Sequence, residues 1–156
     1  MKYATAKTLR YFLRNSNIFP ILYANACSTM MTMEHVVPKS CLKCNIASRD
    51  FHNIYATPAC WNMKRSNYIF SDFGCNNRTE IDVKNRLISP RECDRGIIAR
   101  SVLYMVSKYN VEYDVNITMM KEWNNMYKPS FKEICHNEFV NNVQGNKNPF
   151  ISLRRE

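Results

Sequence analysis

Two short stretches of this chain carry side chains suited to one kind of hydrolysis: EHVVPKS at residues 34–40 and DFHNIYATPACWNMKRSNY at residues 50–68. They bring a Glu-His pair, an Asp-x-His-Asn run and an Asn-x-x-Arg-x-Asn run within 35 residues of one another, counting 34 to 68 inclusive. Cutting a phosphodiester needs a base to make water nucleophilic, a cation to offset charge on the phosphorane and the leaving oxygen, and basic groups to hold the strand. His35 suits the first task, because an unperturbed imidazole is largely neutral at pH 7 and accepts a proton without special tuning. Glu34 and Asn62 suit the second. One carboxylate and one amide oxygen leave a hard cation partly hydrated, which is how Mg²⁺ keeps room for substrate oxygens. Arg65, three residues after Asn62, falls on the same helical face and reaches the same phosphate.

These residues need particular elements to bring them together. Neighbours on a regular strand point to opposite faces, so Glu34 and His35 share a site only where their strand bulges or ends. Pro38 favours an ending, since proline cannot donate to a ladder. Asp50, His52 and Ile54 are expected to alternate with Phe51, Asn53 and Tyr55 on a second strand. A helix from about Pro58 then carries Asn62 and Arg65. The expected order is strand, loop, strand, helix, a ββα unit closing over one metal.

With these motifs in this order, the chain resembles the endonuclease I family, the non-specific ββα-metal (His-Me finger) nucleases of bacteria, which carry EHVxP, D-x-H-N-L and N-x-x-R-x-N motifs. From Asp50 to Asn62, Arg65 and Asn67 the steps are 12, 15 and 17 residues, with no gap against the family. RGIIARSVLYM (95–105), EWNNMY (122–127) and QGNKNPFI (144–151) resemble its helix, its Trp-Asn segment and its terminus. The resemblance covers roughly residues 34–151. It implies an α+β fold with helices outnumbering strands, and a metal-dependent endonuclease acting on DNA or also RNA. His35 would be the general base, and Glu34 and Asn62 would hold one Mg²⁺, or Mn²⁺ or Ca²⁺ in the same site. Arg65, with Arg95 and Arg100, would meet the phosphate, and Asp50, His52 and Asn67 would support these groups from behind. The family also implies 5′-phosphate and 3′-hydroxyl products with little sequence preference, as backbone contacts carry no base identity. Two other readings stay open: a branch- or junction-specific nuclease of a virus or mobile element, and a nucleic-acid-binding protein without turnover.

Composition sets the outer bounds. At 156 residues with 46% hydrophobic content the chain is expected to form one nuclease domain with a real core, and disorder is excluded. A formal net charge of +9 predicts attraction to a polyanion. No run approaches the roughly 18 apolar residues that cross a membrane. IFPILYANAC at 18–27 looks like a signal-peptide core, but Pro20 interrupts it and a long amphipathic stretch precedes it. An odd count of 7 cysteines without a regular framework points to reduced thiols and an intracellular or viral setting, with a secreted or periplasmic one as the alternative. A cell could survive an active intracellular nuclease through a bound inhibitor protein, a viral compartment or narrower specificity. Cys41 and Cys44 form the one CxxC, and with no second such pair a structural zinc is not expected.

The segments divide as follows. Residues 1–33 form an N-terminal helical segment, with a short amphipathic helix from about Thr5 to Asn15. Residues 34–68 hold the ββα-metal motif, and Lys39, Lys43 and Arg49 in its loop either meet phosphates or are simply solvated. Residues 71–89 read as a polar surface excursion. Residues 95–145 are helical, with Met119, Met120 and Trp123 as a core stripe. A last helix opens on a Ser130/Glu133 capping box and stops at Gly145, with Ile134, Phe139 and Val143 facing the core and His136 a surface or packed residue. Residues 144–156 form a tail that ties across the molecule.

Overall fold

The computed structural model describes residues 6–15, 17–23, 30–74 and 76–151. It is a mixed α+β structure in the order α1 (Ala6–Arg14), β1 (Met31–His35), β2 (Ile54–Pro58), α2 (Ala59–Arg65), β3 (Ile69–Phe70), β4 (Glu80–Asp82), β5 (Leu87–Ser89), α3 (Glu92–Tyr109), α4 (Ile117–Met126) and α5 (Phe131–Gln144). The helix expected from about Thr5 is α1, although Thr5 itself and residues 24–29 and 152–156 lie outside the described residues.

β1 and β2 pair antiparallel, with Glu34 opposite Tyr55 and His35 opposite Ile54. The strand ends at His35, as the adjacency of Glu34 and His35 requires, and no bulge interrupts the register. The second strand starts later than expected. Residues 51–53 form a 3₁₀ turn, and Asp50 caps it by accepting from the His52 amide at 2.9 Å. The short polar side chain of an aspartate competes with ladder pairing by bonding its own downstream backbone, and that local bond outweighs the period-two pattern. On the outer edge of β2, Ile21 forms a bridge with Ala56, and the Leu22 amide donates to the Ala56 carbonyl at 3.0 Å. Phe19, Leu22 and Tyr23 are buried there, so this part of the apolar run at 18–27 is core.

The expected excursion at 71–89 carries β4 and β5, which join β3 in a second small sheet in the order β3-β5-β4, with β3 and β5 parallel and β4 antiparallel to β5. Its strands have 2, 3 and 3 residues, too short for periodicity to announce them.

α3 is the central helix. Every residue from Asp94 to Met105 is buried, so it has no solvated face, which explains why its apolar pattern looked mixed in the sequence. Ile98, Val102 and Met105 pack with Val36, Val37, Tyr55 and Phe70 from the strand side and with Met120 and Trp123 of α4. Gly96 admits the close approach of the turn after α4, since a Cβ there would stand 2.8 Å from that of Tyr127. α5 opens as expected: Ser130 Oγ accepts from the Glu133 amide, and Gly145 closes the helix with φ 77°. Phe139 and Val143 pack against the core cluster of Phe19, Phe51 and Val140 as expected, but these two and Ile134 are only half-buried, and the polar Glu133, His136, Asn137 and Gln144 are the more deeply buried residues of the helix.

His136 is fully buried, stacked on Tyr55 at 4.6 Å between ring centroids, with Nε2 3.0 Å from the Phe51 carbonyl. Burial, and then the nearby His52, push its pKa down to about 3. Unfolding returns it to the ordinary value near 6.5, so below that pH the unfolded chain binds a proton that the folded chain excludes. Stability contributed by this residue is therefore full above about pH 6.5 and falls as pH drops towards 3. His52 and Asp50, also depressed, act in the same direction. The raised pKa of Glu34 opposes this over the same range and is common to both proteins, so in urea titrations at pH 7, 6, 5 and 4 His136→Phe, which keeps a stacking ring, should lose less stability on acidification than wild type.

Candidate active site

β1, the loop after it and α2 surround an open cavity of about 510 Å³ lined by Glu34, His35, Lys39, Asn62, Arg65 and Asn67 among others. Five of the sequence candidates from two separate motifs, Glu34, His35, Asn62, Arg65 and Asn67, thus meet at one place. α2 runs from Ala59 to Arg65 with Pro58 at its N-cap, the start expected for it. Asn62 and Arg65 both face the cavity one helical turn apart.

Each side chain is held by an identifiable bond. Asn62 donates its amide hydrogens to Thr32 Oγ1 at 2.9 Å and to the Met33 carbonyl at 3.1 Å, which leaves Oδ1 without a hydrogen bond among the described residues. His35 Nε2 lies 3.0 Å from the Ser48 carbonyl. A carbonyl can only accept, so Nε2 carries the proton and Nδ1 of the neutral ring is the bare acceptor. Burial lowers the His35 pKa; the Ser48 bond opposes this, while the Lys39 and Arg65 charges reinforce it, and the ring stays neutral at pH 7.

Glu34 is 2% exposed. Its Oε1 accepts from the Tyr23 hydroxyl at 3.3 Å and forms an ion pair with Arg65 Nε at 3.3 Å. Burial nevertheless pushes its pKa up to about 7, against the lowering effect of Arg65. The Glu34 carboxylate and the Asn62 amide oxygen are hard oxygen donors on residues that line one cavity, a set that fits a divalent cation retaining water. Among the described residues no group of three or more His, Cys, Asp or Glu could hold a metal, so any ion here would draw much of its shell from solvent and substrate.

Arg65 is placed at the site but is less available than expected. It is 1% exposed, and donates through Nη1 to the carbonyls of His35 (3.1 Å) and Ser66 (3.2 Å) and through Nη2 to that of Val36 (2.5 Å), with its guanidinium over the Phe70 ring. It binds the end of β1 rather than extending into the cavity. Asn67 lines the cavity, and its Oδ1 accepts from Arg86.

Arg95 and Arg100 do not reach the cavity, and the expectation that they meet a phosphate is corrected. Arg100 is 1% exposed and forms a two-pronged pair with Glu133, at 2.5 and 2.7 Å, and also donates to the Tyr127 carbonyl at 2.6 Å. Arg95 donates to the Pro90 carbonyl, pairs with Asp72 at 3.0 Å and lies over Trp123. Both face into the interior because α3 is buried all round.

Asp50 and His52 do not line the cavity, and beyond their own turn the partners of both side chains lie on α3, α5 and the tail. Asp50 is fully buried and accepts from the hydroxyls of Tyr104 (2.8 Å) and Tyr109 (2.6 Å), from Lys108 Nζ (3.1 Å) and from Gln144 Nε2 (3.1 Å). His52 Nε2 meets the Asn146 carbonyl at 3.1 Å, and Asn148 Nδ2 donates to the Arg100 carbonyl at 3.0 Å. The tail through residue 151 does tie across the molecule.

Three positioning residues were not found in the sequence. Asn53 clamps Val37 from both sides, accepting from its amide at 2.7 Å and donating to its carbonyl at 3.0 Å, which fixes the turn after His35. It stands in the Asp-x-His-Asn run, so its place was visible although its task was not. Tyr23 and Ser48 gave no signal, the first because it lies outside any motif and the second because it acts through its carbonyl. Reduced thiols are also corrected: Cys60 on α2 is disulfide-bonded, whereas Cys41, Cys44, Cys93 and Cys135 are free.

The fold and cavity define an α+β protein whose imidazole, carboxylate and amide converge on a strand-strand-helix unit. The family model described as Endonuclease I matches residues 5–154. This chain belongs to the endonuclease I family. It is 27% identical over 152 residues to Endonuclease-1 of Buchnera aphidicola subsp. Acyrthosiphon pisum, covering 80% of this chain and 60% of the relative. It is 31% identical over 145 residues to an extracellular deoxyribonuclease of Aeromonas hydrophila, covering 76% and 63%. Against a periplasmic deoxyribonuclease of the same organism the identity is 33% over 110 residues, covering 65% and 46%. The chain therefore spans about half to three fifths of the length of these relatives.

The Arg100–Glu133 pair gives a direct check on the corrected assignment. Arg100→Met leaves Glu133 buried and uncompensated and should cost roughly 3–5 kcal/mol of stability. The double variant with Glu133→Leu should recover most of that loss in denaturant titrations, whereas a solvent-facing Arg100 would give near-zero effects in both.

Proposed function

We propose that this protein is a metal-dependent endonuclease of the ββα-metal type that hydrolyses phosphodiester bonds of DNA with little sequence preference and leaves 5′-phosphate ends. The observation that carries this reading is the convergence of His35, Glu34, Asn62 and Arg65 on one cavity, in a chain of the endonuclease I family. The relatives named deoxyribonuclease support DNA as the substrate.

In this reading His35 takes the proton of the attacking water at Nδ1, since the Ser48 carbonyl holds the other ring nitrogen as a donor. The low pKa of the ring keeps that acceptor free at neutral pH. The Glu34 carboxylate and the Asn62 amide oxygen would hold Mg²⁺, with Mn²⁺ or Ca²⁺ as substitutes, and the ion when bound would offset charge on the phosphate and the leaving oxygen. Arg65 adds positive charge beside the phosphate and keeps Glu34 in place. Little sequence preference follows if the strand is held by its phosphates alone. The disulfide at Cys60 and the names of the Aeromonas relatives support a secreted or periplasmic setting.

Plasmid and junction DNA, each incubated with Mg²⁺ and with chelator, test the reading: both should be cut with the metal and neither without it, and the new ends should lose phosphate to phosphatase only on the 5′ side. His35→Ala should lower turnover by about 10²- to 10⁴-fold while DNA binding persists. Cleavage within a few fold of wild type would exclude His35 as the base. Glu34→Ala and Asn62→Ala should each weaken metal binding in calorimetry, the carboxylate change more, and their effects should not add. Asn62→Asp should bind metal at least as well and turn over more slowly, because the added charge makes the ion a weaker electrophile.

A further inference from the structure

The arginines proposed to hold the strand are engaged inside the fold. Arg65 is bonded to three carbonyls, Arg95 to Pro90 and Asp72, and Arg100 to Glu133 and Tyr127. DNA bears one charge per ~1.7 Å of its axis, so it must be held by cations that face solvent. One wall of the cleft provides them. Lys39 is exposed and lines the cavity that contains Glu34, His35 and Asn62. It also lines a second cavity of about 420 Å³ with Leu42, Lys43, Cys44, Asn45 and Ser48. Lys39 thus borders both cavities.

The second cavity has a lining suited to an anion: two lysines and an asparagine border it and no carboxylate does, although the Ser48 hydroxyl is engaged with the Asn45 carbonyl. Lys43 Nζ meets a carboxylate only at the cavity's margin, 2.9 Å from Glu112, where both side chains are largely exposed at 72% and 81%. A pair that exposed is weak, and a phosphate can replace Glu112 at little loss. The same loop sets the base, since the Ser48 carbonyl bonds His35 and Ser48 also borders the second cavity. A merely solvated basic loop would have neither this lysine shared with the catalytic cavity nor this link to the base.

We propose that the second cavity is a backbone-phosphate subsite, taking a phosphate of the same nucleic-acid strand beside the one being cut, with Lys39 shared between the two positions and Lys43 as its principal cation. Glu112 is the counter-ion that the strand displaces. The proposal rests on the nuclease reading and makes a residue-specific claim beyond it.

The test is fluorescence anisotropy of a labelled DNA duplex in EDTA over a series of salt concentrations. Lys39→Ala and Lys43→Ala should each weaken binding and reduce the slope of log K against log salt by about 1. Lys121→Ala, an exposed lysine that lines neither cavity, is the control for net charge and should leave the slope unchanged. Glu112→Gln should tighten binding by roughly 2- to 5-fold, the range of an exposed ion pair, and should do nothing in the Lys43→Ala background. Loss of a merely structural contact would not produce tighter binding. If Lys43→Ala behaves like Lys121→Ala, or Glu112→Gln acts equally without Lys43, the subsite is wrong even though wild type cuts DNA. Wild type that neither binds nor cuts DNA would remove the nuclease reading itself.

Discussion

The buried guanidinium of Arg65 is the constraint on which the site depends. A cation enclosed in this way is costly unless it is paired and bonded, and here Nη1 and Nη2 donate to the carbonyls of His35, Val36 and Ser66, at the end of β1 and the end of α2, while Nε makes only an ion pair with the carboxylate of Glu34. Those bonds stop β1 after His35, because carbonyls turned towards Arg65 cannot continue a ladder. They also lock α2 against the strand, which lets Asn62 reach Thr32 and Met33. The residue that sequence reasoning assigned to the substrate therefore first assembles the groups that would act on it.

The same device recurs elsewhere. Asp50 gathers two tyrosine hydroxyls, a lysine and a glutamine, and Arg100 and Glu133 close the contact between α3 and α5. These clusters sit where a chain of this size would otherwise place leucine or phenylalanine. Satisfied buried polar networks of this kind specify one arrangement of neighbours more sharply than an apolar contact does, at some cost in stability. The apolar core around Ile98, Val102 and Trp123 supplies the bulk of the burial.

What the sequence revealed follows the same division. The motifs located the cavity because their spacings encode a helix turn and a strand end, both of which are local properties. The capping box at Ser130 and the stop at Gly145 were readable for the same reason. The direction of Arg95, Arg100, Glu133 and His136 was not, because a charged residue on a helix looks solvated until the helix is known to be central. The turn at Asp50 defeated the alternation pattern through one side-chain bond. The sheet formed by β3, β4 and β5 was hidden by strands of two and three residues.

The ties between the Asp50 turn and the end of α5 bear on when the cavity takes shape during synthesis. Gln144 lies 94 residues after Asp50, and Asn146 and Asn148 complete the bonds to His52 and to the Arg100 carbonyl. Contacts so distant along the chain close late, since the loop entropy must be met before they form. A nascent chain that has emerged only as far as α4 holds both strands, α2 and the α3 groups that reach Asp50, but lacks the bonds of Gln144 to Asp50 and to the Phe51 amide and that of Asn146 to His52. The turn on which β2 begins therefore takes its last supports from α5 and the segment after it.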